Sequence, residues 1–76
     1  MSSIELITRD VYLRHTAGDG STTVREHRVW DADRFIAAQV SEAARLADKA
    51  REQDEPAAFR VEQITEDQYR NERNAR

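Results

Sequence analysis

The sequence has no cysteine, one proline, two glycines, one tryptophan and no long apolar run in its 76 residues. Without cysteine there is no disulfide framework and no thiolate metal site. No stretch approaches the roughly 20 apolar residues that span a bilayer. The N-terminus "MSSIELITRD" has neither the basic start nor the apolar centre of a signal peptide. The expected location is therefore cytoplasmic (the host cytoplasm if the chain is phage-encoded), with no membrane partner. Large apolar side chains are also scarce: the apolar fraction is 38 %, and eleven of those residues are alanine. The core candidates are Ile4, Leu6, Ile7, Val11, Leu13, Val24, Val29, Trp30, Phe35, Ile36, Val40, Leu46, Phe59, Val61, Ile64 and Tyr69.

A chain of this length forms one small domain, 1–76, and buries only about 60–65 % of its unfolded surface. Its core candidates suffice for one two-layer core and leave no room for a deep substrate cavity. The net charge is −3, with 15 acidic and 12 basic residues. By segment it is 0 for residues 1–30, −1 for 31–53 and −2 for 54–76. A strong nucleic-acid binder carries clustered positive charge, whereas here the basic residues are dispersed. Eleven of the twelve are arginine, which fits both a GC-rich coding sequence and arginine used as a bidentate interface anchor.

Residues 4–16, "IELITRDVYLRHT", read as a strand, because Val11 and Leu13 alternate with Tyr12 and Arg14. Ile4 and Leu6 fall on the opposite parity, so either both faces are used or a bulge near residues 8–10 changes phase. "AGDG", residues 17–20, is a turn, and residues 21–30 form the return strand. Pairing Thr16 with Ser21 would set Leu13 opposite Val24, Ile7 opposite Trp30 and His27 opposite Asp10. That register gathers the large apolar residues, Trp30 among them, on one face.

After Trp30 the period changes to 3.6. Asp31 or Asp33 is a suitable N-cap for a helix over 32–53. Ile36, Val40, Ala43, Ala47 and Ala50 make its apolar stripe, widened by Phe35 and Leu46. Pro56 follows its end. Residues 58–64 alternate as a third strand. Thr65 with Gln68 has capping-box spacing, and Ile64 with Tyr69 has staple spacing, which predicts a short helix over 66–73. The fold class is therefore α+β: ββαβ, a three-stranded antiparallel sheet on one long helix, plus a short C-terminal helix. The sheet face away from the long helix is expected to be open.

For chemistry the sequence offers little. It has no GxSxG, no HExxH and no phosphate-cradling glycine loop. The two histidines, His15 and His27, are separated on the hairpin and short of the three or four ligands a metal needs. The expectation is no enzyme, no catalytic residues, no metal and no cofactor. Direct nucleic-acid binding through Arg14 and Arg25 is disfavoured by the acidic balance. What remains is binding through an open sheet face or an edge strand. The candidate partner-binding residues are Tyr12, Arg14, Arg25 and His27 on the hairpin, with Asp54, Glu55, Glu66 and Asp67 as an acidic patch. For Glu66 and Asp67 the alternative is simple complementarity to the helix dipole.

The hairpin "VYLRHTAGDGSTTVREHRVW", the helix "ADRFIAAQVSEAARLADKAREQ" and the strand "AAFRVEQI" make a tiny, acidic, cysteine-free ββαβ chain. In this architecture it resembles the small phage-encoded inhibitors of host defence, anti-CRISPR proteins in particular. No motif matches residue by residue, so no functional residues are carried over. The resemblance implies a phage or mobile-element inhibitor that occludes a surface of a host complex, such as a CRISPR effector. The alternative from the residues alone is a small homodimeric structural or regulatory protein.

Overall fold

A computed structural model describes residues 8–74. The elements are β1 (Arg9–Thr16), β2 (Thr22–Val29), α1 (Ala32–Glu52), β3 (Arg60–Ile64) and α2 (Glu66–Asn74). The sheet order is β2-β1-β3, antiparallel throughout. This is the ββαβ fold with a short C-terminal helix that the periodicity predicts. The residues expected to begin β1, 4–7, lie outside the described residues, as do the core candidates Ile4, Leu6 and Ile7.

The hairpin register differs from the expected one by a single residue: Thr16 pairs with Thr22, not Ser21. Ser21 belongs to the turn. The Ala17 amide donates to the Ser21 carbonyl at 2.8 Å, and Gly20 donates to Ala17 at 2.9 Å with φ +89°. The Ser21 amide and hydroxyl both donate to an Asp19 carboxylate oxygen, and this holds the Asp19 carboxyl below its usual range. Gly18 is required by space: a Cβ there would lie 2.6 Å from the Pro56 carbonyl oxygen and 2.9 Å from the Phe59 ring. Because strand side chains alternate, a slip of one residue moves each cross-strand neighbour to the other face. Leu13 therefore stands opposite Arg25, Val24 opposite Arg14, and His27 opposite Val11, not Asp10. Asp10 faces Arg28 instead, and the two form an ion pair at 3.1 Å.

Among the described residues the buried core is small: Val11, Leu13, Ala43, Ala47, Ala50 and Ile64, of which Leu13 alone is fully enclosed. Val11 and Leu13 project toward α1, whose alanines at three-four spacing allow close approach of helix and sheet. Asp31 caps α1 by accepting from the Arg34 amide at 3.1 Å. At the other end the Glu55 amide donates to the Ala50 carbonyl and the Asp54 amide to Arg51, with Asp54 at φ +55°. That is a Schellman ending with aspartate where glycine is usual. Trp30, expected in the core, is 67 % exposed. Among the described residues the paired ladder ends at Arg9 and Val29, so Trp30 lies on the bend into α1 with no described strand facing it.

The second sheet face is not open. α2 lies across it, entered through the expected capping box: Gln68 amide to Thr65 Oγ1 at 3.1 Å, and Thr65 amide to Gln68 Oε1 at 2.8 Å. The Tyr69 ring rests against Tyr12, centroids 5.0 Å apart. A three-stranded sheet is only about 10 Å from outer strand to outer strand, so one short helix screens much of it.

Candidate functional site

The sheet presents two differently equipped faces. On the α2 face, Arg14 of β1 joins three elements. Its Nε and Nη2 donate to the two carboxylate oxygens of Glu72 in α2, at 2.8 and 2.9 Å, and its Nη1 donates to Glu62 in β3. This fork-to-fork geometry is the strongest form of arginine–carboxylate pairing. The Glu72 and Glu62 hydrogen bonds raise the Arg14 guanidinium pKa further, and Arg14 in turn holds Glu62 below the usual carboxylate range. An arginine held in this way anchors α2 and is not presented to a phosphate. Tyr12, beside it, has its hydroxyl pKa raised, first by burial and then by Glu66, Glu26 and Asp10.

On the α1 face a cleft of about 390 Å³ opens between the sheet and the helix. Thr23, Arg25 and His27 of β2, His15 of β1, Gln39, Glu42 and Leu46 of α1, and Phe59 and Val61 line it. The two histidines, expected far apart, meet here with ring centroids 6.0 Å apart, and the His27 ring also packs on Phe35 at 4.9 Å. The sequence could not show this, because the pairing register decides which strand positions share a face. Both Nε2 atoms are shielded from solvent and have no hydrogen-bond partner among the described residues. Burial, then His27 and Arg25, push His15 below its ordinary value. Neither ring nitrogen is oriented by a carboxylate, as a nucleophile–base pair requires. Glu42 is instead drawn to Arg45, whose hydrogen bonds lower its pKa. Among the described residues no group of three or more His, Cys, Asp or Glu side chains is placed to hold a metal ion.

The eight expected partner-binding residues do not share one surface. Tyr12 and Arg14 lie on the α2 face, Arg25 and His27 on the α1 face. Asp54 and Glu55 follow the end of α1, before β3, whereas Glu66 and Asp67 come after β3, so a five-residue strand separates the two acidic pairs. Glu66 is paired with Arg70 at 2.7 Å. Glu66 and Asp67 occupy the first turn of α2, where they complement its dipole.

What the sequence reading missed is where the apolar stripe of α1 loses its cover. Ala43, Ala47 and Ala50 are buried, but Phe35 and Ile36 are only half-buried and Val40 is 44 % exposed. The helix is about 32 Å long, and its closest strand is the five-residue β3. Its first half therefore carries large apolar side chains with incomplete cover. Even helical spacing in the sequence gives no sign of this, because coverage depends on strand length and placement. No helix among the described residues is long and apolar enough to cross a membrane. Comparison with protein-family models, with curated proteins and with solved structures finds no match to this chain.

Proposed function

We propose that this chain is a non-enzymatic protein-binding module that presents the first half of α1 to a macromolecular partner. One observation carries the reading: large apolar side chains at Ile36 and Val40 continue the buried stripe of Ala43, Ala47 and Ala50 without being buried themselves. Helix-in-groove recognition uses anchors at helical spacing, and Ile36 with Val40 supplies an i, i+4 pair. The cleft chemistry supports no competing reaction, since its histidines lack an orienting carboxylate. The finer reading is a phage or mobile-element inhibitor of a host defence complex, of the anti-CRISPR type, acting by surface occlusion. It rests on the architectural resemblance and on the small, acidic character of the chain.

The test is an interference assay in bacteria with active CRISPR immunity against a plasmid. The expected result is that the wild-type chain lowers immunity and co-purifies with the effector, while Val40→Glu at equal protein level does neither. Full immunity alongside abundant, folded wild-type protein refutes the inhibitor reading. Lost immunity with Val40→Glu as potent as wild type refutes the assignment to α1.

A further inference from the structure

The described residues leave the outer edge of β2 without a neighbouring strand. It is eight residues long, contains no proline, and is set off from α1 by the open cleft. It carries no proline or lysine, but Arg25, Glu26 and Arg28 are charged, so only a strand of complementary charge can use it as a template. Charge decides which strand fits. Glu26 is exposed and makes no ion pair among the described residues. Arg28 projects from the same face, uses its Nε on Asp10, and keeps a side chain 72 % exposed with further donors in solvent. Trp30, on the same parity, is the large apolar residue with least cover among the described residues.

From this edge we infer that β2 pairs antiparallel with β2 of a second copy of this chain, about a two-fold axis through His27, making a continuous six-stranded sheet. This goes beyond the proposed function, which uses a different surface. A two-fold perpendicular to the sheet keeps each face aligned with itself, so paired positions must have equal parity. Centring on His27 sets Glu26 against the other copy's Arg28, twice by symmetry, in a ladder over residues 25–29 with Trp30 just past its end. Centring on Arg25, Glu26 or Arg28 instead places that residue against its own copy, like charge on like. Centring on Val24 sets Glu26 opposite Thr22, which offers it no opposite charge. Opposite charges directly across an antiparallel pair stabilise it and like charges oppose it, so the His27 register is selected. An isologous interface of this kind is self-complementary by construction.

The experiment is sedimentation equilibrium on the whole chain from about 1 µM to about 1 mM, with the emission of Trp30, the single tryptophan, followed over the same range. The expected result is a concentration-dependent dimer with a parallel blue shift of the indole emission. Glu26→Arg creates two repulsive pairs and should weaken the dimer by about tenfold or more. The double variant Glu26→Arg/Arg28→Glu restores the opposite-charge pairs and should recover most of that loss. Far-UV circular dichroism checks that each variant is folded. A chain that stays monomeric to about 1 mM, or a dimer indifferent to Glu26→Arg, overturns the inference. So does a folded double variant no tighter than the single one.

Discussion

Replacing Asp54 by glycine should stabilise this protein, although it removes a charged side chain from the surface. Asp54 closes α1 with φ +55°, between the Gln53 cap and the Glu55 amide that returns to Ala50. Left-handed backbone costs an L-residue about 1–2 kcal/mol, less for aspartate than for most, and glycine removes that cost. A carboxylate at a helix C-terminus also opposes the dipole, at about 0.3–1 kcal/mol when exposed. Against these stands the larger unfolded-state freedom of glycine, about 0.5–1 kcal/mol. The balance favours Asp54→Gly by about 0.5–1 kcal/mol. Asp54→Asn tolerates the same backbone and isolates the charge contribution, so it should gain less. Asp54→Val, β-branched at positive φ, should lose about 1 kcal/mol or more. Urea unfolding followed at 222 nm measures the series. With a slope near 1 kcal/mol per molar for so small a domain, Asp54→Gly should raise the midpoint by about 0.5–1 M. A midpoint lowered by Asp54→Gly at unchanged slope refutes the assigned helix ending.

Three further outcomes follow from the packing. Leu13→Ala empties the most buried site among the described residues and should cost about 2–5 kcal/mol, a large share of the roughly 4–11 kcal/mol available to a domain of this length; a loss under about 1 kcal/mol in urea unfolding contradicts the core assignment. Arg14→Leu leaves Glu62 and Glu72 without their shared partner, so amide exchange in 66–74 should quicken while β1 and α1 stay protected; unchanged exchange in α2 disproves the anchoring role. The His15 pKa is lowered from 6.5 on folding, so its contribution is fully present above about pH 6.5 and is lost as the pH falls through the lowered folded value. His27, Arg25, Glu42 and Arg60 line the same cleft. His15→Gln should flatten the stability curve just below pH 6.5, before Glu62, lowered from 4.5, begins to protonate. An identical curve in the variant rules this out.

Local periodicity and caps are short-range properties, and here they were legible residue by residue. Alternation through Val11 and Leu13 marked β1, three-four spacing from Ile36 to Ala50 marked α1, and Thr65 with Gln68 marked the start of α2. Pro56 and the alanines bounded the long helix to within a residue. The candidate surfaces were less legible. The expected register puts Trp30 on the apolar face, whereas among the described residues the ladder stops at Val29 and Trp30 is exposed. His15 and His27 look remote along the hairpin, where chain distance stands in for spatial distance, yet the register sets them on one face.

The order of elements and the ends of each helix are thus properties of the sequence, since hydrogen bonding and side-chain spacing within a few residues are enough to set them. Only the tertiary structure decided the register, through one serine counted into the turn. That single step sent Val24 to one face and brought Arg25 and His27 to the other. It likewise decided that α2 would close the second face and that α1 would keep half its stripe uncovered. Such outcomes depend on which distant segments reach each other, and a pattern of nearest neighbours carries no record of that.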